Sequence, residues 1–188
     1  LAERIYNELG LPVYLYENSA SKPQRTNLAD IRRGEFEGLN NKMQDKDWKP
    51  DYGTKPHPTA GAVVIGARKP LIAFNMQLNT ANIEIANEIA KKIREKNGGL
   101  KCVKALGIML ETKNIAQVSA NLTDYTVTSL FEVFEAVCKE AEKMGYEVVS
   151  SELIGLSPAR AFIDTAARYL KLENYSYKKI IESHLLNL

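Results

Sequence analysis

With 188 residues, the chain is long enough for one full domain or two small lobes, and it can bury a core without disulfides or a metal. It is 45% hydrophobic and 26% charged, as in an ordinary globular protein, and its formal net charge is +2. So small a charge argues against nucleic acid or membrane binding, and no apolar run approaches the roughly 20 residues that a membrane helix needs.

The first part of the chain predicts short helices around one strand. Residues 1–9 carry an apolar side chain at every fourth position before Gly10, which predicts a helix that the chain enters partway. Residues 12–16 are aromatic and aliphatic and predict a strand. A short helix capped by Asn27 should follow, and then a second one over 35–43.

A connection rich in proline and glycine, over residues 45–60, predicts a boundary between two parts of the chain, 1–60 and 61–188. Ala62–Ile65 and Leu71–Leu78 predict two strands joined by the turn Gly66–Pro70. We expect the first of these strands to lie at the edge of the sheet that the second one enters.

From Leu71 onward the predicted elements follow the order β-α-β-β-α-β. This order is that of the split βαβ, or ferredoxin-like, arrangement and predicts an α+β protein. Right-handed crossovers would place both helices on one face of a four-stranded antiparallel sheet. The elements are strands at 71–78, 103–110, 115–122 and from 148, helices at 80–97 and 127–144, and two closing helices at 159–170 and 177–186.

The cysteines and histidines show no metal or redox pattern. Cys102 and Cys138 have neither CxxC nor Cys–His spacing, so we expect reduced thiols in a cytoplasmic protein and no metal cofactor. His184 lies on a polar terminal helix and is expected at the surface. His57 stands between two prolines in the rigid connection, where it either shapes the loop or faces a ligand.

Three further positions are candidates for ligand binding. Arg68 sits in a turn, where its guanidinium either holds a substrate carboxylate or is a solvated charge. Asn75 interrupts an apolar strand, so its amide either joins the strands or contacts a ligand. Gln117 and Ser119 alternate with apolar residues, which places them together on one sheet face, either solvated or lining a ligand groove.

Seven strings resemble the formiminotransferase family, and they occur in that family's order over nearly the whole chain. They are PVYLYE at 12–17, IRRGEFEGL at 31–39, WKPDYG at 48–53, HPTAGA at 57–62, GARKPLIAFNMQL at 66–78, AQVSANL at 116–122 and SELIGLSP at 151–158.

The resemblance implies a cytoplasmic homodimeric enzyme of histidine degradation and one-carbon metabolism. Its two α/β lobes would enclose a tunnel in which the formimino group passes from formiminoglutamate to tetrahydrofolate, the co-substrate. The family's folate-contacting stretch matches Gly53 to Gly61. The substrate-binding residues inferred from this match and from the patterns above are Gly53, Thr54, Lys55, Pro56, His57, Pro58, Thr59, Ala60, Gly61, Arg68, Asn75, Gln117 and Ser119.

The sequence departs from the family at its start. Family members begin with a VPNFSEG-like segment and later carry the catalytic histidine in an EHPRxGA motif, and neither string occurs here. We therefore expect that roughly the first third of the enzyme is missing and that no catalytic residue lies in this chain. His57 matches the folate stretch and does not take the catalytic role.

Two rival functions are an inert fragment and an RNA-binding module. The chain could be a catalytically inert folate-binding or structural fragment. Ferredoxin-like sheets also bind RNA, but through aromatic side chains on the sheet face, whereas this face offers glutamine, serine and asparagine.

Overall fold

The computed structural model describes residues 1–185, which divide into two compact units: unit 1, Leu1–Arg68, and unit 2, from Lys69 onward. The division lies after Arg68, whereas the predicted boundary was between residues 60 and 61. No helix within residues 1–185 is long and apolar enough to cross a membrane.

Unit 1 contains two strands and three α-helices. They are α1 (Ala2–Leu9), β1 (Val13–Glu17), α2 (Leu28–Arg32), α3 (Glu35–Gln44) and β2 (Val63–Ala67). Gly10 ends α1 in the left-handed conformation, at φ 66°, and its N–H donates to the Tyr6 carbonyl. The asparagine predicted to cap α2 does so, because Asn27 Oδ1 accepts the N–H of Ala29. The small core of the unit is built on Tyr14, Ile31 and Met43.

The strand predicted over Ala62–Ile65 has a different partner from the one expected. It forms part of β2, which pairs with β1 in parallel, with Val13 opposite Val63 and Glu17 opposite Ala67. The prediction that it joins the edge of the four-stranded sheet is therefore wrong. Two strands close in sequence favour a hairpin, but parallel partners require a long connection, which residues 18–62 with α2 and α3 supply.

Within its described residues, unit 2 contains a four-stranded sheet and four α-helices. They are β3 (Ile72–Leu78), α4 (Ile83–Ile93), β4 (Val103–Leu110), β5 (Ile115–Leu122), α5 (Leu130–Lys143), β6 (Val148–Ile154), α6 (Ala159–Tyr169) and α7 (Ile181–Leu185). The strands lie in the order β4-β5-β3-β6, and every neighbouring pair is antiparallel. The protein is thus a mixed α/β structure, as the predicted α+β class requires.

Both long helices of unit 2 pack on the same side of its sheet. Helices α4 and α5 contact each other, and their buried side chains share one core with Met76, Val118 and Leu122. Because successive side chains of a strand point to opposite faces, residues 117, 119 and 121 face away from these helices.

Two predicted helices need correction. The helix expected over 127–144 begins only after Ser129, because the buried Thr128 hydroxyl donates to the Lys101 carbonyl instead of capping. The helix expected over 177–186 is interrupted: a 3₁₀ turn over Tyr177–Lys179 precedes α7. Residue 186 lies outside the described part of the chain.

Candidate functional site

The predicted folate stretch forms a compact loop in unit 1. His57 and Gly61 exchange backbone hydrogen bonds, with the His57 N–H 2.7 Å from the Gly61 carbonyl oxygen and the reverse pair at 3.0 Å. Gly53 at the start of the stretch has φ +85°, and a Cβ there would lie 2.8 Å from the Cβ of Pro12. Only glycine fits this position, so the entry to the loop is fixed by backbone geometry.

A buried ion pair holds the preceding segment against β1. Arg25, 1% exposed, donates to the Asp51 carboxylate at 2.8 Å and to the Lys49 carbonyl at 2.8 Å. The other carboxylate oxygen of Asp51 accepts the N–H of Leu15 at 2.7 Å. A buried charge is tolerated only with such partners, so this pair positions the chain that leads into Gly53. No sequence pattern singles out Arg25 or Asp51.

The ring of His57 contributes to the shape of the loop. Its Nδ1 accepts the N–H of Ala60 at 3.2 Å and that of Thr59 at 3.3 Å. Because Nδ1 accepts, the hydrogen of the neutral ring resides on Nε2. His57 therefore stabilises the loop through Nδ1, and Nε2 is not used in these contacts. The predicted contact of His57 with a ligand stays a prediction.

The structure brings the predicted residues of unit 2 together on one sheet face. Asn75 on β3 lies directly opposite Ser119 on β5, and Gln77 lies opposite Gln117. On the other side of β3, Ser150 stands opposite Gln77 and donates its hydroxyl hydrogen to Gln77 Oε1 at 2.9 Å. Gln77 was missed, although its spacing of two residues from Asn75 places it on the same face.

The amides of this face are buried rather than solvated. Gln117 is 3% exposed, and Asn75 and Gln77 are each 8% exposed. Gln117 Oε1 has no hydrogen-bond partner among residues 1–185. Leaving a buried acceptor unpaired costs about 1–3 kcal/mol, so the unpaired oxygen of Gln117 makes this residue a candidate for ligand binding.

Arg68 is exposed, at the end of unit 1. Within residues 1–185 its guanidinium forms no ion pair. Exposure without an ion pair is compatible with both predicted roles of Arg68, a solvated charge or a residue that holds a substrate carboxylate.

Two cavities are lined by residues other than Asn75, Gln77 and Gln117. One of about 280 Å³ in unit 1 includes Ala60 and Gly61 of the predicted folate stretch in its lining. The other, of about 760 Å³, lies in unit 2 between the start of α5 and α6, and none of the predicted site residues lines it. Among residues 1–185, no group of three or more histidines, cysteines or acidic residues is arranged to hold a metal ion.

Comparison with known proteins gives matches over both units. The family model described as "Formiminotransferase domain, N-terminal subdomain" matches residues 1–68, and the model described as "Formiminotransferase domain" matches residues 73–188. The first match ends at residue 68, the last residue of unit 1, and the second begins at residue 73 in unit 2.

Similar proteins carry the corresponding names. A glutamate formimidoyltransferase of Streptococcus pyogenes serotype M1 is 53% identical over 188 residues, covering 99% of this chain and 63% of that protein. One of Thermoplasma acidophilum is 45% identical over 97% of this chain and 61% of that protein. The formimidoyltransferase-cyclodeaminase of Sus scrofa is 45% identical over 92% of this chain and 33% of that protein.

The chain thus spans about six tenths of the two microbial relatives and about a third of the bifunctional one. The identity runs through both units. The family models cover almost all of the sequence. The chain therefore belongs to the formiminotransferase domain family.

Proposed function

We propose that these residues form the substrate-binding part of a glutamate formimidoyltransferase, which transfers the formimino group of N-formimino-L-glutamate to tetrahydrofolate. Within the family, the main support for this proposal is the buried sheet face of unit 2 that carries Asn75, Gln77 and Gln117. The side-chain oxygen of Gln117 on this face has no partner among residues 1–185. Units 1 and 2 would then correspond to the two subdomains of the transferase.

The proposed reaction starts with attack by N5 of tetrahydrofolate on the amidine carbon of the donor. The tetrahedral intermediate expels the glutamate amine, which must gain a proton as it leaves. Amide side chains cannot supply that proton, but each offers both donors and an acceptor. Asn75, Gln77 and Gln117 would therefore bind and orient an amidine or a heterocycle edge, while Arg68 would hold a carboxylate.

The second candidate function is binding without turnover. Neither His57 nor His184 stands in the family's EHPRxGA motif. The Nδ1 of His57 is already occupied by loop N–H groups. We therefore expect the isolated 188 residues to bind substrate without transferring the formimino group. Turnover near that of an intact relative, followed through the absorbance of the folate product, would contradict this expectation.

The amide face is tested with Gln117→Leu. Replacing the unpaired amide by an apolar side chain should leave the melting temperature unchanged or raise it. The affinity for tetrahydrofolate or formiminoglutamate, measured by calorimetric titration, should fall roughly tenfold because a ligand donor loses its acceptor.

Gln44→Leu, an exposed glutamine at the end of α3, is the matched control and should leave both affinities unchanged. If Gln117→Leu only changes the melting temperature and binds both ligands like the parent chain, Gln117 has no part in substrate binding.

Several expectations from the family resemblance stay predictions. They are a cytoplasmic location, a homodimer, and a role in histidine degradation and one-carbon metabolism. We also propose that unit 2 is ferredoxin-like, which its strand order β4-β5-β3-β6 and the shared face of α4 and α5 support.

A further inference from the structure

A carboxylate lies on the sheet face of unit 2 that carries Asn75, Gln77 and Gln117, which we call the amide face. Glu152 on β6 stands directly opposite Asn75 on β3, and Ser150 stands opposite Gln77. Directly opposite residues of an antiparallel pair point to the same side of the sheet. The hydrogen bond of 2.9 Å between Ser150 and Gln77 agrees with this assignment. The side chain of Glu152 therefore lies beside that of Asn75, on the amide face.

Unlike the neighbouring amides, Glu152 is accessible and has no partner. Its side chain is exposed, whereas Asn75 and Gln77 are each only 8% exposed. Within residues 1–185 its carboxylate forms neither an ion pair nor a hydrogen bond. A ligand that reaches the amide face from solvent can therefore contact this carboxylate without breaking an existing bond.

Glu152 gives one edge of the amide face a negative charge. Among the described strand residues of unit 2, the register places one other charged residue on this face, Lys104 of β4. Strands β4 and β6 form the two edges of the sheet, so three strand spacings, about 14 Å in all, separate their backbones. This distance exceeds the Debye length of roughly 8 Å at physiological ionic strength, so the two charges act separately.

The negative edge matches one group of the proposed substrates. An N-substituted formamidine is a strong base, so the formimino group of the donor is a cation at neutral pH. Its N–H groups form a planar fork like that of a guanidinium, which binds a carboxylate through two parallel hydrogen bonds. The carboxylates of formiminoglutamate and of tetrahydrofolate are negative, and Glu152 would repel them.

A formyl donor differs from a formimino donor at this contact. N-formylglutamate carries a neutral carbonyl oxygen where the formimino group carries a charged nitrogen with its hydrogens. That oxygen would face the Glu152 carboxylate with no hydrogen between them. A site that presents an unpaired acceptor to the wrong ligand discriminates strongly against it.

We propose that Glu152 pairs with the formamidinium group of the donor and so selects a formimino donor over a formyl donor. This inference rests on the proposed formimino transfer and adds a specificity-determining residue to it. The same contact orients the donor, with its formimino group towards β6 and its glutamate carboxylates away from this edge.

The test compares the binding of N-formimino-L-glutamate and N-formyl-L-glutamate to the 188-residue chain by calorimetric titration. The parent chain should bind the formimino ligand roughly ten- to a hundredfold more tightly, the effect expected of one charged hydrogen-bonded pair. Glu152→Gln should lose most of this preference, because it binds the formimino ligand more weakly and the formyl ligand at least as tightly. Its melting temperature should match that of the parent, since Glu152 has no partner to lose.

Glu88→Gln is the matched control. Glu88 is an exposed glutamate of α4, the helix that packs on the opposite side of the sheet, and its loss should leave both affinities unchanged. Glu152→Asp keeps the charge on a shorter side chain and should retain part of the preference.

The possible failures point to different conclusions. Equal affinities of the parent chain for the two ligands, or a preference that survives in Glu152→Gln, would overturn the role of Glu152 and leave the proposed substrate binding intact. Equal losses for both ligands in Glu152→Gln would also overturn the selection of the donor. A parent chain that binds neither ligand would contradict the proposed substrate-binding function and this inference with it.

Discussion

Arg68 and Lys69 are neighbours in the sequence, yet the structure gives them different surroundings. Lys69 Nζ lies 2.6 Å from Asp124 Oδ2, and the Thr126 hydroxyl lies 2.6 Å from Asp124 Oδ1. Both groups donate hydrogen bonds to the carboxylate and lower the pKa of Asp124. Arg68 is exposed and forms no ion pair within residues 1–185. The lysine therefore stabilises the fold, whereas the arginine is available to a ligand.

We predict that Arg68→Ala leaves the melting temperature unchanged. In an active enzyme that contains these residues, it should raise the Michaelis constant for formiminoglutamate or folate by roughly ten- to a hundredfold, the equivalent of a charged hydrogen bond of about 1.5–3 kcal/mol. Arg68→Lys keeps the charge but loses the planar fork, so it should also weaken binding.

Lys69→Ala is the matched control for Arg68. Its partly exposed ion pair is worth about 0–1 kcal/mol, so its loss should lower the melting temperature slightly and leave the Michaelis constants unchanged. A drop in melting temperature for Arg68→Ala with unaltered Michaelis constants would refute the binding role.

At the scale of single elements, α5 shows how a cap decides where a helix begins. Ser129 Oγ accepts the N–H of Glu132 at 3.3 Å, and the Glu132 carboxylate accepts the N–H of Ser129 at 2.8 Å. This reciprocal capping box follows the S-x-x-E pattern of the sequence. Thr128 also has a capping side chain, but its hydroxyl is bound to Lys101.

We predict that Ser129→Ala destabilises unit 2 by about 1 kcal/mol, the usual cost of losing an N-cap. Hydrogen bonds from the Ser129 hydroxyl and N–H lower the pKa of Glu132. The folded-state pKa is therefore below the unfolded one. The carboxylate stabilises the fold fully above the ordinary pKa of 4.5, and this stabilisation disappears as the pH falls through the lowered value.

Urea denaturation at pH 7 and near pH 3 measures this dependence. Glu132→Gln should lose stability at pH 7 and show a smaller loss between the two pH values than the parent chain. Glu135→Gln, on the exposed side of the same helix, should keep the parent's pH dependence. A similar change in both variants would show that the capping carboxylate is not responsible.

For the whole molecule, the two units differ greatly in the size of their cores. Unit 2 buries apolar side chains from all four strands and from α4, α5 and α6 in one cluster. Unit 1 has only Tyr14, Ile31 and Met43 at the centre of its cluster. Small domains bury too little apolar surface to be very stable, so unit 2 should carry most of the stability.

We predict that a fragment of residues 69–188 unfolds cooperatively on its own, whereas a fragment of residues 1–68 gives no sharp transition. Circular dichroism melting and NMR dispersion would measure both. A fragment starting at residue 61 is the control, because it carries β2 without its partner β1 and exposes an unpaired strand. It should be less soluble than 69–188. Failure of 69–188 to fold would show that its core is insufficient.

Local sequence patterns determined most of the elements. Period-two alternation placed β5 at Ile115–Leu122 and assigned Gln117 and Ser119 to a common face, and the cap at Asn27 marked the start of α2. The seven family strings identified the formiminotransferase family. These predictions succeed because alternation, capping and turn residues act over a few neighbouring positions.

Only the tertiary structure decided the pairings and the burial. Nothing local indicates that Val63 lies opposite Val13, because a parallel partner is separated by a long crossover. Likewise, the alternation in β5 could not show that Gln117 is buried opposite Gln77 with an unpaired oxygen, or that the Tyr14 hydroxyl lacks a partner. The alternation along a strand sequence gives the sheet face to which a side chain points. The hydrogen bonds of that side chain depend on residues distant in the sequence.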